Sequence, residues 1–352
     1  MKPFSNVEIF DRSLNFKTNA AVESANINVD YLDPEQNALS FRDVDAVTIN
    51  DIIRISGDGG EYFGIVSETE KQKNGITKVT IKDLASLWDE IIIVDQNDMT
   101  GTLESFIADT ITGLYINNTD TAMNIDATIT AETTTNDWIL DLTPMADGTT
   151  LCKVNLFDEI ILPAFKSYEI LVKASIDLGE KKFVFTITKN TADPITLEAD
   201  LPEVLEKNIT VREAQAQINK LTIYNSEDYT ETPIVYYLHT DGTHSTTDTD
   251  RVLPVKWDFA TAAASNNGGV TKTFAENAAE TAAAMFAAEE FNNLITLSYV
   301  EYPKFKVGQH VDIISDGVIY PTIFTAIERG QQTKLIFGMI RLSLIKTLKG
   351  RG

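Results

Sequence analysis

A single cysteine, Cys152, is all the thiol chemistry in this chain of 352 residues, which excludes an internal disulfide framework and a multi-cysteine zinc site. Apolar runs fall far short of the roughly 18 residues that span a bilayer as a helix, so no membrane span is expected. The amino-terminal stretch from Met1 to Ser13 lacks a basic segment followed by an apolar one, so no secretory leader is expected either. The chain reads as soluble and made in the cytoplasm. The G-x-S-x-G, Walker and G-x-G-x-x-G patterns are missing. Basic residues are scarce, 29 Lys and Arg against 52 Asp and Glu for a net charge of −23, and Gly101 to Thr150 holds eight acids with no Lys or Arg. Such a chain repels a phosphate backbone, which argues against sequence-independent nucleic-acid binding.

The few candidate reactive groups carry little. Three histidines occur, and His239 and His244 flank a short run near Asp241, Asp248 and Asp250. Their spacing fits neither a helical His pair nor a zinc knuckle, and Asp241-Gly242 reads as a turn. The alternating acids of a calcium loop are missing, and His310 reads as a barrel-surface residue. No metal and no cofactor is expected. Cys152 lacks a nucleophile's neighbours and reads as a structural thiol. Asp158-Glu159 and Glu289-Glu290 are adjacent acids among 52, read as solvated helix positions. No residue is assigned to catalysis and the chain is not expected to be an enzyme.

What is present is more telling. With 43% apolar and 9% aromatic residues the chain can bury a core, and its length suits two to four domains. Val47–Ile81 and Phe305–Phe337 are two copies of one pattern, 258 positions apart. Ile49 matches Val307, Ile53 matches Val311, Ile55 matches Ile313, Tyr62 matches Tyr320, Ile65 matches Ile323 and Glu70 matches Glu328. Asp58-Gly59 falls on Asp316-Gly317, and a two-residue deletion brings Thr77-Lys78 onto Thr333-Lys334. Alternating apolar residues on both sides of an Asp-Gly pair predict a β-hairpin with a tight turn. Spacing this wide is not that of a stacked array. One small barrel used twice could fill two positions in a ring, and three chains would then fill six.

The fold class expected is α+β, mainly β, with two similar small antiparallel β-barrels, an inserted α+β domain and a helical connector. Residues 1–95 with 208–240 are assigned to the first barrel, 96–207 to the inserted domain, 241–292 to the connector and 293–352 to the second barrel. Leu103, Phe106, Ile107, Ile111 and Leu114 fall at helical spacing. Asn155 offers an N-cap with Asp158-Glu159 in the first turn, and Pro163 is placed to weaken that helix near its end. Strands are predicted over Tyr168–Ser175, Lys182–Thr188, Lys220–Asn225, Thr232–Leu238 and Arg251–Val255, with a polar linker at Ser265–Gly269. Thr273–Glu290 predicts an alanine-rich helix with a face of Phe274, Ala278, Ala282 and Met285.

Several stretches together resemble the baseplate hub and tail-associated proteins at the tail tip of long-tailed bacteriophages, which are similar in fold to the central hub of contractile baseplates. They are Asn50–Ile55 with Glu61–Val66, Lys82–Asp89, Asn219–Asn225, Arg251–Val255, and Phe305–Gly308 through Tyr320, Glu328, Phe337-Gly338 and Arg341–Leu344. The resemblance covers most of the chain except the acidic insert. It implies a homotrimer whose six barrels continue the tail tube in a pseudo-sixfold ring. It also implies a virion location at the distal end of the tail, with the distal tail protein ring, the tape measure protein and receptor-binding proteins as partners. Many relatives carry a further lytic or adhesive part; ending at Gly352, this chain is expected to be a short hub or a fragment. Glu301–Gly352 holds eight basic residues against four acidic ones. Within it Arg329, Lys334, Arg341, Lys346, Lys349 and Arg351 form either a partner contact or a solvated barrel rim with a loose end. The acidic remainder serves either a basic partner or solubility. A host-surface or carbohydrate-binding adhesin is the rival reading, and a cell-wall hydrolase a third.

Overall fold

A computed structural model describes residues 6–339 except 35, 43–46, 58–59, 73–74, 137, 141, 147, 192, 211–217, 242, 268–269, 287–292, 300–304 and 330–331. The chain divides into two units, Met1–Val211 with Phe291–Gly352, and Arg212–Glu290.

Alternation builds the first barrel. Its six strands are Asn6–Phe10, Phe16–Asp30, Gln36–Arg42, Ile52–Gly57, Gly60–Lys71 and Ile76–Asp83. Every second side chain points inward, so Val7, Ile9, Leu39, Phe41, Ile53, Ile55, Val66, Val79 and Ile81 make one apolar interior. Around the barrel the order is first, fourth, fifth, sixth, third, second, and the second strand pairs back to the first. Closure leaves no open edge around the barrel itself, and only strand ends that run past it can take a further strand.

The second barrel repeats that order. Its strands are Ile195–Glu198, Val204–Thr210, Leu294–Tyr299, His310–Ser315, Val318–Arg329 and Thr333–Phe337, again linked first, fourth, fifth, sixth, third, second. The irregularities repeat as well. The fifth strands bulge between Val66 and Glu68 and between Phe324 and Ala326, and the second strands between Val22 and Ser24 and between Val204 and Glu206. A bulge adds a residue and bends its strand, so matched bulges mark matched curvature. Asp316 and Gly317 both take positive φ, 51° and 78°, as the predicted two-residue hairpin turn requires. Its counterpart, Asp58-Gly59, lies outside the described residues. One strand differs: the first runs antiparallel to the fourth in the first barrel and parallel to it in the second.

This corrects two expected boundaries. Residues 208–240 do not complete the first barrel, which closes on its own six strands. Asn208–Thr210 belongs to the second barrel, and that barrel takes its first two strands from 195–210, well before residue 293.

Between the barrels lies the α+β insertion, its elements running from Ile91 to Lys189. Thr102 caps the helix Leu103–Tyr115, which buries Leu103, Phe106, Ile107, Ile111 and Tyr115. Asn155 accepts from Asp158 N at 2.9 Å while Glu159 accepts from Asn155 N at 2.6 Å, a reciprocal cap. Leu156–Ile161 is π-helical and Leu162–Tyr168 is α-helical, so Pro163 sits where the α-helix begins rather than near its end. Glu169, at φ 57°, ends that helix, which delays the next strand to Ile170–Asp177. Phe183, Phe185 and Ile187 of the strand Lys182–Lys189 face the core with Trp88.

The unit Arg212–Glu290 has its own core. A sheet of His244–Ser245, Ile234–Leu238, Lys220–Asn225 and Trp257–Ala262, in that order, is covered by the helix Phe274–Phe286. The helix buries Phe274, Ala278, Ala282 and Phe286, a stripe at every fourth residue, with Met285 beside it. Residues 287–290, the end of the predicted helix, lie outside the described ones. Arg251–Val255 is not a strand: Arg251 makes one bridge to His239, and Leu253 is 67% exposed. Ser265–Asn267 pairs with Val270–Lys272 as a hairpin where a linker was expected.

Candidate functional site at the barrel junction

The long second strand outlasts its own barrel. Its Val22–Asn26 part pairs with the third strand, and Ile27, Asn28, Val29 and Asp30 run on to face Arg329, Glu328, Ile327 and Ala326 of the second barrel's fifth strand. The two barrels therefore share one continuous sheet. Asn37, 2% exposed, donates to Asn28 O at 2.8 Å and to the Tyr62 hydroxyl at 2.9 Å, steadying the strand where it leaves the barrel.

Just past this pairing, Tyr31 N donates to Thr325 O at 3.0 Å. Tyr31 and Leu32 then enter a cluster with Phe165, Leu171, Ile323 and Met339, joining both barrels to the insertion. The Tyr31 hydroxyl accepts from Val172 N at 2.8 Å, and its ring meets Phe165 edge-on at 4.7 Å. The insertion also grips the loop before the second barrel's fourth strand. Lys173 donates to Val307 O at 3.0 Å, the Asn190 amide donates to Gly308 O, and His310 Nε2 lies 2.9 Å from Glu169 Oε2.

A cavity of about 390 Å³ lies at this junction, with Asp30, Tyr62, Asp83, Lys173, Phe324 and Arg329 among its lining. Burial pushes the Asp83 carboxyl up to about 6, against hydrogen bonds from Ala85 N and the Tyr62 hydroxyl that hold it down. Burial, and then the neighbouring Lys306, lowers the Lys173 ammonium. Asp83 binds its proton more tightly in the folded chain than its ordinary value of 3.8 implies for the unfolded one. Its contribution to stability is thus full below that value and is lost as pH rises through about 6. Asp83→Asn keeps an acceptor for Ala85 N and removes the charge. It is expected to stabilise the protein by about 2 kcal/mol at neutral pH and to flatten the fall of the urea midpoint across pH 6.

Of the six basic residues proposed as a partner contact, the structure describes two. Arg329 is 8% exposed and lies inside the junction opposite Ile27, so it is buried rather than displayed. Lys334 pairs across the ladder with Glu328 at 3.2 Å, both half-exposed, which contributes at most about 1 kcal/mol. Arg341, Lys346, Lys349 and Arg351 lie outside the described residues. His239 engages Thr249 O at 2.7 Å and Ser245 Oγ at 2.8 Å through its two ring nitrogens. Among the described residues no group of three or more His, Cys, Asp or Glu is placed to hold a metal ion. Cys152 is fully buried, and burial raises its thiol. Sequence reading missed Tyr31 and Asp83; the only signal was the apolar pair Tyr31-Leu32 ahead of the Asp33-Pro34 turn.

No family profile and no curated protein matches the sequence. Solved structures do match, over nearly the whole length of both chains. A chain of the phage P2 baseplate in its activated conformation with Ca is 10% identical at a TM-score of 0.52, covering 96% of this chain and 100% of that one. The tail protein from Neisseria meningitidis MC58 is 12% identical at 0.51, covering 95% and 96%. The 43 kDa tail protein of prophage MuSo2 from Shewanella oneidensis is 10% identical at 0.51, covering 96% and 98%. Two barrels of one strand order, joined edge to edge and separated by an α+β insertion, are thus the fold of phage baseplate and prophage tail proteins.

Proposed function

We propose that this chain is a structural part of a phage tail tip, a baseplate hub rather than an enzyme. Three copies form a ring of six barrels that joins the tail tube and the distal tail protein to the tip and guides or closes the DNA channel. Its place is the distal end of the virion tail, with the tape measure and receptor-binding proteins as further neighbours. The observation that carries this reading is the matched pair of barrels: identical strand order, two pairs of matched bulges and a shared sheet would let one chain fill two successive positions of a ring. The net charge of −23 suits a channel through which DNA passes without sticking. Negative-stain class averages of the concentrated chain are expected to show three-chain rings with six similar lobes around a hole. Stable dimers or another symmetry would overturn the ring.

One observation favours a second reading, a carbohydrate-binding adhesin. Trp257 and Phe259 are 62% and 52% exposed on the edge strand of the Arg212–Glu290 sheet, 5.0 Å apart, with Tyr224 against Phe259. Exposed rings of this kind can stack on sugars or on a protein partner. Glycan-array binding that disappears in Trp257→Ala would favour the adhesin, and a blank array would leave the rings to a protein neighbour.

A further inference from the structure

The barrel junction is built from a strand end and a strand edge, and the chain contains a second copy of each. In the second barrel, the stretch of the fifth strand past its bulge is covered on both sides. Thr333–Ile336 lies along one side and Ile27–Asp30 along the other, and Ala326, Ile327 and Arg329 are buried. The matching stretch of the first barrel is Glu68–Lys71, past the matching bulge. Glu68, Thr69 and Glu70 pair with Thr80, Val79 and Lys78 on one side, and among the described residues no strand lies along the other. Glu68 and Glu70 are exposed where their counterparts, Ala326 and Glu328, are buried and half-buried. The backbone of Glu68–Glu70, past the same bulge, has a strand on one side only among the described residues, where its counterpart Ala326–Glu328 has one on both.

The strand that does the covering is also duplicated. Asn26-Ile27-Asn28-Val29 in the first barrel's second strand matches Asn208-Ile209-Thr210-Val211 in sequence, and the bulges upstream fix that match. Asn208, Ile209 and Thr210 pair with Thr296, Ile295 and Leu294, and among the described residues nothing pairs with their outer side. A two-fold relation between the barrels would form both junctions within one chain. Among the described residues only one forms, so the relation is head-to-tail, and repeating it calls for another copy.

We propose that the unused halves meet between copies of this chain: the Asn208–Thr210 strand of one copy adds to the bare Glu68–Glu70 edge of its neighbour. This rests on the ring reading above, which gives every first barrel a neighbour. The register of the internal junction sets Ile209 opposite Lys71 and Thr210 opposite Glu70. Backbone hydrogen bonds supply the affinity and the side chains the choice of strand. In that register the first barrel's strand would set Asp30 against Glu68, like charge against like, where the second barrel's sequence has Arg212 at the equivalent position. The edge therefore selects the second barrel's strand over the first barrel's, which keeps the ring in order.

Cysteine pairs test this contact, since Glu70 and Thr210 are exposed and Cys152 is buried. Glu70→Cys and Thr210→Cys chains, mixed and oxidised, are expected to give a covalent dimer that neither chain gives alone. The double variant is expected to give covalent trimers and nothing larger on a non-reducing gel. Three-chain particles by native mass without the 70–210 link would overturn this contact and leave the ring standing. A linked ladder growing past three chains would uphold the contact and overturn the trimer. Unlinked monomers at the highest attainable concentration would overturn both.

Discussion

Tyr31→Ala is expected to cost roughly 3–5 kcal/mol of stability, in the range of large aromatic truncations in a packed core. Three bodies meet on this side chain. Its backbone N donates to the second barrel at Thr325 O, its hydroxyl accepts from the insertion at Val172 N, and its ring packs on Phe165. With 8% of its surface exposed, the truncation leaves a cavity that rigid barrels on two sides cannot collapse. Tyr31→Phe separates the contributions. It keeps the ring and leaves the Val172 N–H without its acceptor, at a cost of about 1–3 kcal/mol. Urea midpoints of both variants check the order, and equal midpoints for Tyr31→Ala and the parent chain would remove Tyr31 from the junction. Because the residue sits immediately after the Ile27–Asp30 pairing, Tyr31→Ala is also expected to open the adjoining sheet to amide exchange while the Phe41 and Ile55 core of the first barrel stays protected.

The repeat was legible because it is local: alternation and an Asp-Gly turn fix a hairpin from a dozen residues. The start of the helix after Asn155 was legible for the same reason, since Asn155 satisfies a backbone donor within one turn of itself, whereas the equivalent cap at Thr102 was not read from the sequence. What failed was non-local. The second barrel's third strand follows its second only after the whole Arg212–Glu290 unit, so Lys220–Asn225 looked like a continuation of a barrel when it is the centre of another sheet. The Asn-Ile-x-Val match at 26–29 and 208–211 carried the missing information, but four residues are too few to stand out beside the long hairpin repeat. Arg329 shows the same limit at a single residue. Its position among late basic residues pointed to an exposed contact, and the strand that buries it comes from residues 27–30, about 300 positions earlier.

The junction also explains why two equivalent turns differ in sequence, and Gly308→Ala exposes the reason. Asn50 and Gly308 are equivalent, both take positive φ, 70° and 87°, and both donate a backbone hydrogen bond to the equivalent carbonyls of Val66 and Phe324. Asparagine tolerates that conformation, so backbone geometry alone does not require glycine. Space does: a Cβ on Gly308 would lie 2.4 Å and 2.6 Å from the two methyl carbons of Leu171. Leu171 is 5% exposed within the Tyr31 and Phe165 cluster and has little room to turn away. Gly308→Ala therefore combines left-handed strain with overpacking and is expected to cost about 3–5 kcal/mol. Gly317→Ala is the control, since φ is 78° there but nothing lies within 4 Å of the new atom; about 1–2 kcal/mol of strain is expected. Leu171→Ala combined with Gly308→Ala should cost less than the two single changes added together, because the first removes the obstacle to the second. Simple additivity in urea unfolding would mean that the insertion does not dictate this glycine. The expected coupling would mean that Leu171 of the insertion, packed against this turn of the second barrel, set glycine where the first barrel has Asn50.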